Sequence, residues 1–287
     1  MSMQQLFRMP MWPALVWNEG TRLSRAATSQ VDSVFPGHTS QRKNSSRCSA
    51  PDGAEMLSLR TRRGRMIKAV FAPARRADAP TFLFFYGNDM CMRAAMPAFD
   101  LLRTLDVNVM MPEYLGYGLS EGRPSETGCY ATAGAAYRFL VEEKKIDPRG
   151  IITGGCSLGG AVAIDLAYRK KVAGLATLVT FTSLREMAQQ FYPGFLVSLV
   201  LRWRFHSERK IRRVKCPILI GHSRTDKFVP FEMADRLAAA AGGPVTRLNL
   251  DNADHNSTSV LATATGKILT VLDDFIQMCQ RRATESA

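Results

Sequence analysis

Five consecutive residues, Gly155-Cys156-Ser157-Leu158-Gly159, constrain this chain more than any other stretch, because they match G-x-S-x-G. They stand between a short apolar run, Gly150–Gly155 (GIITGG), and a helical pattern from about Leu158 to Lys171. A serine at such a junction sits on a very sharp strand-to-helix turn with strained backbone angles, and its hydroxyl stands clear of the sheet. Side chains two residues to either side would collide with the neighbouring strand or helix, hence the glycines. The amide of Leu158 opens the helix and points into the site, where the helix dipole helps it to hold a developing oxyanion. A pattern with three fixed positions often matches by chance. Here the apolar strand before it and Gly159-Gly160-Ala161 after it supply the required context.

The same alternation extends along the chain. Met56–Thr61 and Arg65–Ala72 read as strands joined by a turn at Arg63-Gly64. Thr81–Tyr86 (TFLFFY) is a continuous apolar run closed by Gly87-Asn88, as expected of a strand buried on both faces. Helical periodicity over Met92–Leu105, a strand at Val107–Met111, and a helix over Thr127–Lys145 ended by Asp147-Pro148 come next. Past the serine, strands are expected at Val172–Thr180, Pro217–Gly221 (PILIG) and Val245–Leu250, with helices at Phe231–Ala241 and roughly Ser257–Arg281. This order predicts an α/β architecture: a mostly parallel sheet with helices on both faces. The alternation is broken between Phe181 and Lys215 by a segment of helical and aromatic character, read as a small cap over the carboxyl ends of the strands (residues 181–215). Residues 1–54 form an N-terminal extension, partly irregular, of which 20–54 read as a loop or linker; residues 55–287 form the α/β domain.

A serine at neutral pH needs a base, and a carboxylate to orient that base. Four histidines make the search short: His38 lies in the loose N-terminal stretch, His206 in the cap, and His222 after a buried strand, where a packed, hydrogen-bonded role is expected. His255, in the loop after the last strand, alone fits comfortably the chain order Ser, acid, His that goes with such a turn. Asp226, in the loop after PILIG, is the expected acid; Asp251 and Asp254 compete, although loop capping explains both. The second oxyanion donor is expected from the loop after TFLFFY, with the backbone N–H of Asn88 as candidate and Gly87 allowing the tight turn.

Composition narrows the partners. The sequence carries 38 Lys+Arg against 25 Asp+Glu, a net charge of +13, and much of the excess is local. Residues 1–76 hold thirteen basic side chains against four acidic ones, and residues 202–215 hold seven (Arg202, Arg204, Arg209, Lys210, Arg212, Arg213, Lys215) against Glu208. A solvated basic face explains this; attraction to an anionic surface or substrate is the alternative. With no zinc-finger spacing, RNP aromatic motif or recognition-helix pattern, nucleic acid is not expected as a partner. The six cysteines (48, 91, 129, 156, 216, 279) show no C-x-x-C, which argues against a metal site and a disulfide framework and for reduced thiols in a cytoplasmic setting. The opening stretch is interrupted by Arg8, Pro10 and Pro13 and lacks the form of a secretory signal, and no run reaches about 18 apolar residues. Trp12 and Trp17, with basic and cap residues, could touch a membrane interface, which makes peripheral membrane contact an open expectation.

Four separated stretches resemble a known family: FFYGN near Tyr86, PEYLGYGLSEGRPSE from Pro112 to Glu126, GGCSLGGAVAIDLA around Ser157, and TDKFVP followed by ADHN. Together they cover about two thirds of the chain and resemble the α/β-hydrolase superfamily, specifically its serine-aminopeptidase-like members that include depalmitoylases and lysophospholipase-like enzymes. The resemblance implies an eight-stranded sheet, a Ser157–Asp226–His255 triad and no cofactor. Two departures stand out: Tyr86 where the family usually has His, and Glu113 and Leu115 where it usually has Asp and Arg. The expected activity is hydrolysis of an ester or thioester, with amide hydrolysis as the nearest rival and a non-catalytic binding protein as the different class. Cap residues Phe191, Tyr192, Phe195, Leu196, Leu199 and Trp203 suggest an apolar acyl chain, although such residues also simply hold a cap in place.

Overall fold

A computed structural model of the chain describes residues 31, 34–40, 48–190, 193–195, 197, 201–250, 255 and 257–285. Eight strands form one sheet in the order β1-β2-β4-β3-β5-β6-β7-β8. Strands β1 (Glu55–Arg60) and β2 (Met66–Ala72) form an antiparallel edge, and β2 runs antiparallel to β4 (Asn108–Pro112). All later pairings are parallel: β4 with β3 (Thr81–Phe85), β3 with β5 (Ile151–Cys156), then β6 (Gly174–Leu178), β7 (Ile218–Ser223) and β8 (Val245–Leu250).

The central strands carry the longest apolar runs. Every residue of β3 and of β5 is buried, as a strand covered by helices on both faces requires. At the edges, β1 and β8 are mostly partly or fully exposed, with Leu59, Leu248 and Leu250 buried. Crossovers are made by α1 (Met96–Arg103), α2 (Glu126–Arg138), α3 (Leu158–Arg169) and α6 (Phe231–Ala240), and α7 (Ser257–Glu285) closes the chain. Between β6 and β7 lie α4 (Leu184–Gln189) and α5 (Ser207–Ile211).

The expected single helix over Thr127–Lys145 differs in one respect. Helix α2 starts at Glu126 under the Ser125 cap, whose hydroxyl accepts from the Gly128 amide, and after Arg138 it widens into a π-turn at Phe139–Glu143. Lys145 then takes a positive φ of 58° and ends the helical path before Pro148.

Strand order reverses at β3, whose two neighbours are β4 on one side and β5 on the other. Open α/β sheets bind ligands at such a switch point, outside the carboxyl ends of the strands. The loop that begins at Tyr86 and the turn at Ser157 leave the sheet there, side by side. On the face covered by α1 and α7, an apolar cavity of about 40 Å³ lies among Phe84, Leu102, Cys156, Leu178, Leu248 and Leu272.

Candidate active site

Ser157 begins α3 with φ 52° and ψ −118°, a left-handed conformation that is strained for a residue with a side chain. Its neighbours hold it there. The Ser157 amide donates to Leu178 O at 2.9 Å, and its carbonyl accepts from Thr180 Oγ1 at 2.7 Å. The flanking glycines are sterically required. A Cβ on Gly155 would stand 2.4 Å from Phe85 O, and one on Gly159 would stand 2.0 Å from the same oxygen, so α3 and β3 could not approach as they do. Val179, just past the adjacent strand β6, also has a positive φ of 46°, which places two strained residues beside each other at the carboxyl ends of the central strands.

Three residues far apart in sequence meet here. Ser157 Oγ lies 3.1 Å from His255 Nε2, and His255 Nδ1 lies 2.8 Å from Asp226 Oδ2. A carboxylate oxygen can only accept, so Nδ1 carries the ring proton and Nε2 is left to accept from the serine hydroxyl. The other oxygen of Asp226 is occupied: Oδ1 accepts from the Phe228 amide at 2.8 Å and the Val229 amide at 2.9 Å. The carboxylate is thereby fixed, with Oδ2 aimed at the ring. His255 is buried, and the Phe228 ring packs on it at 4.8 Å between centroids.

His222 has the packed role expected of it. It is buried, its Nε2–H donates to Val229 O at 3.0 Å, and burial pushes its pKa below the ordinary imidazole value. Its Nε2 lies 3.6 Å from Asp226 Oδ2, the same oxygen that meets His255. His206 precedes α5 and His38 lies in a short helical turn at Gly37–Ser40, where its Nδ1 is 3.3 Å from Phe35 O; the ring hydrogen-bonded to Ser157 is that of His255. Asp251 and Asp254 lie outside the described residues.

The loop after β3 runs past the nucleophile: a Cβ on Gly87 would be 3.9 Å from Ser157 Cβ. The amides of Asn88 and Leu158 have no acceptor among the described residues, and Leu158, as the first helical residue, has none within its helix. Both are available to a ligand oxygen. Asp89 shares the loop, with Oδ1 3.7 Å from that same point on Gly87; burial raises its carboxyl pKa, against the opposing effect of its own amide and of His255.

Two of the residues that depart from the family's pattern, Tyr86 and Glu113, form one arrangement. Tyr86 and Glu113 are both fully buried, and the Tyr86 hydroxyl donates to Glu113 Oε1 at 3.0 Å. The same oxygen accepts from the Met92 amide at 2.6 Å, while Tyr114 OH donates to Tyr86 O at 2.9 Å. The end of β3, the following loop and the chain after β4 are tied together through this carboxylate. Sequence reading singled out both residues without pairing them.

The segment 181–215 leaves the carboxyl end of β6 and returns over α2. Glu126 fixes the return, accepting from the amides of Arg204 at 2.8 Å and Phe205 at 3.1 Å. Trp203 is buried against Phe35, which gives it a packing role, whereas Phe195 is 73% exposed. Phe191, Tyr192, Leu196 and Leu199 lie outside the described residues, as do Trp12 and Trp17. Of the seven basic residues, Lys210 is committed to the buried Asp165 at 2.8 Å and to the Tyr130 ring at 4.0 Å, and Arg212 pairs with Glu208 at 3.1 Å. Arg202, Arg204, Arg209, Arg213 and Lys215 are exposed. All six cysteines are free thiols. No helix among the described residues is long and apolar enough to cross a membrane.

No family model matches the chain. It is 35% identical over 186 residues to an uncharacterized protein of Mycobacterium tuberculosis, covering 64% of this chain and 66% of that protein. It is 30% identical over 221 residues to the α/β-hydrolase domain-containing protein aho-3 of Caenorhabditis elegans, covering 76% of this chain and 65% of the relative. The chain thus spans just under two thirds of the length of these relatives. Among solved structures, an esterase of Pyrococcus furiosus superposes with a TM-score of 0.65 at 17% identity, over 82% of this chain and 94% of the esterase. Sheet order, the turn at Ser157 and these likenesses agree: the chain belongs to the α/β-hydrolase superfamily.

Proposed function

We propose that this protein is a serine hydrolase that cleaves carboxylic esters or thioesters through an acyl-enzyme intermediate. One observation carries the reading: a continuous hydrogen-bonded relay from Asp226 through His255 to a serine hydroxyl held on a strained turn, at 2.8 and 3.1 Å. Ser157 Oγ attacks the carbonyl carbon while His255 Nε2 takes its proton. The amides of Asn88 and Leu158 receive the oxyanion. Collapse expels the alcohol or thiol, protonated by His255; water, deprotonated by the same nitrogen, then attacks the acyl-serine and releases the acid.

The acyl group is assigned to the strand ends beside Ser157, where the chain leaves β6 for the 181–215 segment. The exposed arginines of that segment favour an anionic headgroup or a lipid surface near the mouth. Retention by vesicles containing anionic lipid, and not by neutral ones, checks that point.

Hydrolysis of p-nitrophenyl esters of increasing chain length, run beside acyl-thioesters and aminoacyl amides, tests the proposal. Ester or thioester turnover that vanishes in Ser157→Ala supports it. Turnover confined to the amides, or surviving in Ser157→Ala, overturns it.

A further inference from the structure

A short N-terminal piece touches the loop that carries the second oxyanion donor. The Gly37 amide donates to Asn88 O at 3.0 Å, and the Asn88 Nδ2–H donates to Val34 O at 3.1 Å. The Tyr117 hydroxyl donates to the same Asn88 carbonyl at 2.9 Å. Asn88 is therefore held through its carbonyl by two donors and through its side chain by a third contact. The packing is as tight as the hydrogen bonding. A Cβ on Gly37 would stand 2.3 Å from Met90 O and 2.8 Å from Asn88 O, both main-chain atoms of the loop.

Phe35, between those two anchors, is completely buried. Its ring meets Tyr117 at 6.4 Å, Trp203 at 5.1 Å and Phe205 at 6.3 Å between centroids, all edge-on. One side chain thus joins the N-terminal piece to the chain after β4 and to the returning arm of the cap.

We propose that residues 34–37 are a positioning element of the active site, which holds the Asn88 amide aimed at the reacting carbonyl oxygen. The proposal rests on the serine-hydrolase reading above. Oxyanion donors accelerate reactions because they are fixed before the charge develops. The Asn88 amide belongs to the peptide that follows Gly87, a residue with no side chain to restrict it. Among the described residues, the main-chain bond on that peptide itself is a long one, from the Met90 amide to Gly87 O at 3.4 Å, and the clamp grips the adjoining peptide through the Asn88 carbonyl. Without Val34 and Gly37, the Tyr117 hydroxyl alone of these contacts would remain to hold Asn88 and aim this donor.

The test uses the full chain, with Gly37→Ala pressing on the loop and Asn88→Ala keeping the amide while removing the bond to Val34. Ester turnover is measured per active site, titrated with a fluorophosphonate so that unfolded protein does not count. The expected result is a fall in kcat of about 10-fold or more, since small misplacements of reacting groups are costly. KM should change less than twofold and the pH profile should not move. If Gly37→Ala fails to fold, Asn88→Ala decides by the same criteria. Titrated kcat within twofold of wild type, or a loss carried wholly by KM, overturns the proposal while wild-type labelling leaves the serine-hydrolase reading intact. A wild-type protein that neither labels nor turns over ester overturns that reading, and this one with it.

Discussion

Replacing Tyr86 with Phe removes one oxygen from the most tightly tied point beneath the oxyanion loop. The Tyr86 ring keeps its contact with Tyr114, at 4.8 Å between centroids, so packing is preserved. What is lost is the donor at 3.0 Å to Glu113 Oε1, together with a weak acceptor for the Tyr114 amide at 3.4 Å. Glu113 is fully buried and would retain only the Met92 amide at 2.6 Å and the Leu119 amide at 3.4 Å. Hydrogen bonds to charged groups contribute about 1.5–3 kcal/mol, so the expected cost is ~2 kcal/mol. Unfolding entropy of about 2.1 cal/mol/K per residue amounts to about 0.6 kcal/mol/K for this chain, which converts the loss to about 3 °C in Tm. The pH dependence has a definite sign. Burial already pushes the Glu113 carboxyl above its ordinary pKa, and the Tyr86 hydroxyl opposes that push. Its removal raises the folded-state value further, so the deficit is greatest where Glu113 is ionised and shrinks as falling pH protonates it. Scanning calorimetry of wild type and Tyr86→Phe at pH 5 and pH 8 measures both quantities. A Tm change below about 1 °C at pH 8, or a deficit larger at pH 5, would refute the account of this carboxylate.

Three further outcomes are expected. Asp226→Asn leaves the ring's partner in place but removes the charge and disturbs the tautomer, and should lower kcat about 10⁴-fold with little change in KM, read from ester kinetics. His222 is held neutral by burial, so its folded pKa lies below that of the unfolded chain. The unfolded state takes the proton first, and stability should decline as pH falls below about 6.5; His222→Gln should flatten the drop in Tm between neutral and mildly acidic pH. Burial raises the Asp89 carboxyl pKa, so its ionised form costs stability above the unfolded value; Asp89→Asn should raise Tm at pH 7, with the gain disappearing near pH 4.

Local chemistry made much of this molecule readable in advance. The turn at Ser157 announces itself because a strand, two clash-avoiding glycines and a helix start must occur together within about ten residues. His255 and Asp226 followed from chain order and from the strands that precede them. Strand ends still shifted by one or two residues, and the π-turn at Phe139–Glu143 left no mark, since a widened turn keeps the same apolar residues inward. Tyr86 and Glu113 were visible only as two separate departures. Their pairing depends on β3 and β4 lying side by side, a register that neither segment encodes alone. The contact of Val34 and Gly37 with Asn88 was illegible for a related reason: one Phe in a stretch rich in Ser and Arg has no periodicity, and its partners lie more than fifty residues away.

The central claim is that Ser157 is a nucleophile activated by His255. Fluorophosphonate labelling of the full-length protein, with the modified residue located by peptide mass spectrometry, tests it most directly. The account predicts stoichiometric label on Ser157, none in Ser157→Ala, and strongly slowed labelling in His255→Ala. Folded wild-type protein that takes up no label, or takes it up on another residue, would contradict it.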